Sequence, residues 1–110
     1  MNVYIDATFD SVTKIAFIGY SDKFMAITGI KKIKAKDINE AEFEALKFTI
    51  SKIGKDNLFL TDSENVIRKS KSLNIRIEHI FRENNIADII VNAAKEDYHG
   101  KFRAYRGKNK

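Results

Sequence analysis

The sequence predicts a mixed α/β (α+β) domain in which one five-stranded mixed sheet is covered by helices in the order βββαβαβα. Three observations lead there. The first third of the chain is a series of β-branched and aromatic segments split by short polar turns, which reads as an antiparallel meander. At residue 38 the apolar spacing changes to a helical period. From there on, short strand-like segments alternate with helical ones, an arrangement that lays the later strands parallel to the first.

In order, residues 3–9 (VYIDATF) are a strand, Asp10-Ser11 a turn and residues 13–20 (TKIAFIGY) a second strand. Ser21-Asp22 is another turn, and residues 24–33 (FMAITGIKKI) are a third strand. Residues 38–53 (INEAEFEALKFTISKI) are a helix, opened by Asp37 and Glu40 in a pattern resembling a capping box and stopped by Gly54. Residues 57–61 (NLFLT) are a short buried strand, 63–72 a second helix, 74–81 (NIRIEHIF) an alternating strand and 85–97 a final helix. No repeat or linker interrupts the 110 residues, so one domain is expected.

Composition narrows the function classes. There is no cysteine, which excludes disulfides and thiolate metal sites and fits a cytoplasmic protein. No apolar run is long enough to span a bilayer, and the start MNVYIDATFD is not a secretory signal, so no membrane partner is expected. The net charge of +5 lies wholly in residues 98–110, because residues 1–97 carry fifteen basic and fifteen acidic side chains. Basic tails of this kind either bind nucleic acid or act as solvated ends.

Four acids stand out. Glu42 falls near the middle of the apolar arc of its helix, whereas Glu40, Glu44 and Lys47 lie opposite. An inward carboxylate is costly unless it is salt-bridged or metal-bound. Asp62 ends the strand NLFLT, where open sheets bind ligands, although taken alone helix capping is the more ordinary role there. Asp6 is in phase with Tyr4 and Thr8 inside the first strand, a place where aspartate is depleted. Asp88 lies in the first turn of the last helix, where the helix dipole favours acids. Together the four can converge at one sheet edge. Clustered carboxylates need a counter-charge, and hard oxygen ligands select Mg²⁺ or Mn²⁺.

The segments VYIDATFD, INEAEFEAL, FLTDSENVI and FRENNIADIIVNAA resemble, in order, the four acidic motifs of type I ribonuclease H. The resemblance covers residues 3–97 and implies a compact ribonuclease H-like catalytic domain followed by a basic tail over 98–110. It further implies an endonuclease that cuts the RNA strand of an RNA–DNA hybrid with two Mg²⁺ or Mn²⁺ ions. Asp6 would be shared by both ions, Glu42 and Asp62 would help hold one, and Asp88 would help hold the other. Asn39, Thr8 and Glu64 occupy places that resemble substrate contacts in the family. The basic extra helix of some members and the mobile histidine loop before the last helix have no counterpart in this sequence. His79, in phase with Ile75, Ile77 and Phe81, is expected to be structural. The alternatives are a nuclease of the same fold acting on a DNA junction or double-stranded RNA, a non-catalytic nucleic-acid-binding module, and a small α+β interaction protein whose acids are caps and surface charges.

Overall fold

The computed structural model describes the backbone of residues 1–108 and the side chains of residues 1–100. The elements are β1 (Asn2–Phe9), β2 (Ile15–Ser21), β3 (Thr28–Lys34), α1 (Ile38–Ile53), β4 (Leu58–Thr61), α2 (Glu64–Lys69), β5 (Arg76–His79) and α3 (Ala87–Lys108). Short 3₁₀ turns at Ser70–Leu73 and Arg82–Asn84 precede β5 and α3. The five strands form one sheet in the order β3-β2-β1-β4-β5. β2 is antiparallel to β1 and β3, while β4 is parallel to both β1 and β5. The mixed sheet and its element order are those expected from the sequence, and β1 is central.

Side-chain alternation assigns the two faces. Val3, Ile5, Ile18 and Tyr20 turn towards α1, where Ala41, Ala45 and Leu46 are fully buried against the sheet. Asp6 pairs with Gly19 and Thr8 with Phe17 on the opposite face, which α3 covers. Gly19 sets how closely α3 approaches. A Cβ there would stand 2.8 Å from the Gly29 carbonyl oxygen and 3.1 Å from Val91 Cγ1 on α3. α1 begins and ends where expected: the Asp37 carboxylate accepts the Glu40 N–H at 2.8 Å, and Gly54, at φ 87°, caps the other end.

Three elements differ from expectation. β3 starts at Thr28 rather than residue 24 because Asp22 closes a wider turn. Its N–H donates to the Ile27 carbonyl at 3.0 Å, its Oδ1 accepts the Ile27 N–H at 2.9 Å, and Met25 adopts φ 57°. β5 is only four residues long, since its partner β4 ends at Thr61. Ile75 and Ile77 reach the core, but His79 and Phe81 are exposed, so His79 has no place on a buried apolar face. Finally, α3 passes the expected end at residue 97 and continues to Lys108. Residues 98–108 are thus helical, and Tyr98 packs on Phe17 with ring centroids 5.7 Å apart. The expectation for Lys110 lies outside the described residues, as do those for the side chains of residues 101–109.

Candidate active site

β1 and β4 pair through Asn2–Leu58, Val3–Phe59 and Tyr4–Leu60, and then part. Extending that register by two residues sets Asp6 opposite Asp62. The opening lies at the carboxyl end of β4 beside the central strand, where open sheets place ligands. Asn85 fills the opening and is 4% exposed. Its Nδ2 donates to the Ile5 carbonyl at 2.9 Å and reaches Asp62 Oδ2 at 3.5 Å, while its Oδ1 accepts the Ala87 N–H at 3.1 Å. One buried amide therefore ties the end of the strand ladder to an acid and to the start of α3.

α3 then delivers Asp88. Its carboxyl group shares a hydrogen bond with that of Asp6. Asn92, one turn on, donates from Nδ2 to both Asp88 Oδ1 and the Asp88 carbonyl at 2.8 Å. Glu42 enters from α1, half-buried, and accepts a hydrogen bond from the Ser63 hydroxyl. The same Ser63 Oγ accepts the Val66 N–H at 3.2 Å and so forms the N-cap of α2. Serine, not Asp62, takes the capping role, which leaves the Asp62 carboxylate free to face the cleft.

The electrostatics follow from this crowding. Burial, then the charge of Asp62, then the neighbouring Asp88 push the Asp6 carboxyl up to about 8, against an opposing hydrogen bond from the Ala7 N–H. Burial chiefly, and the charge of Asp62, raise Glu42 above the usual carboxylate range, while the Ser63 hydroxyl pulls it back. The cleft encloses about 280 Å³ and is lined by all four predicted acids, with Thr8, Arg82 and Lys95 also on its walls. Among the described residues neither Arg82 nor Lys95 forms an ion pair with any of the four.

The structure thus brings Asp6, Glu42, Asp62, Asp88 and Thr8 together. Asn39 and Glu64 are exposed and do not line the cleft. Ser63, Asn85 and Asn92 were not singled out from the sequence, yet each leaves a signal there: Ser63 immediately precedes α2, Asn85 stands two residues before α3, and Asn92 is four residues after Asp88 on one helix face. Among the described residues no group of three or more acidic or histidine side chains stands gathered as a metal-binding group. The chemistry of the donors nevertheless suits a hard dication. All four are carboxylates, and the proton held between Asp6 and Asp88 is of the kind that metal binding releases. No protein-family model and no curated protein matches the chain.

Proposed function

We propose that the protein is a metal-dependent endonuclease that hydrolyses the RNA strand of RNA–DNA hybrids. The observation that carries this reading is that one cleft beside the central strand is lined by four carboxylates, from β1, α1, α3 and the turn after β4. So many acids at one point lower stability unless they serve a bound cation. The restriction to hybrids rests on the resemblance of the four acidic segments to type I ribonuclease H. Asp6, Asp62, Glu42 and Asp88 would hold two Mg²⁺ or Mn²⁺ ions, which when bound supply an activated water and neutralise the leaving oxygen.

The protein's own residues do the rest. Asp6 would give up its proton to hold a dication, and it stands on a central strand that cannot shift without breaking the sheet. Asn85 and Asn92 hold Asp62 and Asp88 in place, and Ser63 orients Glu42. Arg82, on the wall of the cleft and unpaired with the acids, is placed to attract a phosphate beside the bond. A second reading keeps the chemistry and changes the duplex to double-stranded RNA or a DNA junction. Glu64, exposed in the first turn of α2, stands where some members of the family that the acidic segments resemble carry a glutamine that touches the minor groove, so that contact with a hybrid is missing here. Cleavage of a labelled panel of hybrid, double-stranded RNA and junction in Mg²⁺ tests both. No cleavage of any member refutes the nuclease reading, and cleavage confined to the others refutes the hybrid.

A further inference from the structure

Beyond the acid cleft, α3 carries a polar stripe. Asp88, Asn92, Lys95 and His99 recur at spacings of four, three and four residues, so they share one face of the helix. Lys95 lines the acid cleft and also a neighbouring slot, in which it is joined by His99 and by Phe9, Phe17 and Tyr98. The slot encloses only about 20 Å³, far too little to take a nucleobase, so what it offers a ligand is its rim. That rim is basic on three sides. Lys14, in the β1–β2 turn, lies over the Phe9 ring at 5.6 Å, and Lys32, on β3, lies over the Tyr98 ring at 5.0 Å. Both lysines are exposed. Among the described residues the one acid lining the slot is Asp10. Its carboxylate accepts the Val12 and Thr13 N–H groups at 2.8 and 3.3 Å and is also offset by His99, leaving Lys14, Lys32 and Lys95 as the excess charge of the rim.

We propose that this rim of Lys14, Lys32, Lys95 and His99 is a second, polyanion-binding subsite that grips the sugar–phosphate backbone of the nucleic acid away from the bond that is cut. The inference rests on the nuclease reading for what occupies the acid cleft. At 1.5 Å per residue, Lys95 and His99 lie about 10 and 16 Å along α3 from Asp88. At 3.4 Å of duplex axis per nucleotide that is a reach of roughly three to five nucleotides. Such contacts position a duplex without reading its sequence. They also explain how a body with no net charge up to residue 97 can hold a polyanion beside four acids.

The test uses the full chain and a labelled RNA–DNA hybrid longer than one helical turn, with metal withheld so that only binding is read. A triple variant, Lys14→Ala with Lys32→Ala and Lys95→Ala, should bind more weakly. Its log affinity against log salt should flatten by about 2 to 3, at roughly 0.9 for each lost phosphate contact. The matching triple arginine variant keeps the charges and should keep the slope. An unchanged slope in the alanine variant overturns the subsite, and so does an equal loss in the arginine variant, which would point to packing instead. Cleavage by the unmodified protein in Mg²⁺ is scored separately. If it cuts and the slope does not move, only the subsite fails; if it binds the hybrid through the lysines but cuts nothing, only the nuclease reading fails.

Discussion

Replacing Asp6 by asparagine should stabilise the metal-free protein while removing its activity. Asp6 is buried, and its folded carboxyl titrates at about 8 against an ordinary 3.8. Below pH 4 the group is protonated in both the folded and unfolded chain and has no effect on the balance between them. As pH rises from about 4 towards 8, the unfolded chain loses this proton and the folded one keeps it, so stability falls; above 8 the loss is complete. At pH 7 the difference spans about 3 pH units, or about 4 kcal/mol at 1.36 kcal/mol each, as an upper bound. Asparagine has nearly the same shape and no such titration. If half the bound is realised, about 2 kcal/mol, the melting temperature at pH 7 should rise by about 10 °C for a domain of this size. The assay is thermal melting in chelator from pH 4 to 8 for both proteins. Their melting temperatures should diverge with rising pH, and Mg²⁺ should raise only the unmodified protein. Parallel pH profiles, or a variant less stable at pH 8, would refute the reasoning.

The remaining predictions concern the residues that position the acids. Asn85→Ala strands the Ile5 carbonyl and the start of α3, so it should cost about 1–3 kcal/mol in denaturant unfolding and reduce cleavage as well. Ser63→Ala removes both the α2 cap and the hydrogen bond that holds Glu42 down; unfolding should cost about 1 kcal/mol, and Mg²⁺ affinity measured by titration should fall. Truncation after Gly100 should leave the fold intact and, if three or so of the removed charges reach phosphates, flatten the salt dependence of hybrid binding by about 3. Truncation after Asp97 should also lower the melting temperature, because it takes Tyr98 from Phe17.

Most of the architecture was legible because local and long-range signals agree in this chain. α1 announces itself through Asp37, Gly54 and a helical apolar period, and Asp6 declares a buried acid by standing in a strand that the βαβ order makes central. What was not legible depends on partners in space. The start of β3 is decided by Asp22 closing a turn on Ile27, which the β-rich run FMAITGIKKI conceals. The exposure of His79 follows from β5 standing at the edge of the sheet, a placement its own segment cannot reveal. The passage of α3 through residue 97 was hidden by the change from neutral to basic composition and by Gly100, both of which look like a boundary, yet the helix runs through them. In the site, the acids could be named from the sequence. Their supports Ser63, Asn85 and Asn92 could not, because each matters through a neighbour that only the folded chain supplies.

The central claim, that Asp6, Glu42, Asp62 and Asp88 form one metal-dependent nuclease centre, is tested most directly by cleavage of a labelled RNA–DNA hybrid by the full chain and its four single amide variants, with Mg²⁺ and with chelator. The account predicts cutting of the RNA strand by the unmodified protein in Mg²⁺ alone. It also predicts a loss of at least a hundredfold for Asp6→Asn, and large losses for Glu42→Gln, Asp62→Asn and Asp88→Asn, in proteins that still melt cooperatively. Cleavage that survives chelation, or that any of the four variants performs at the unmodified rate, would contradict it.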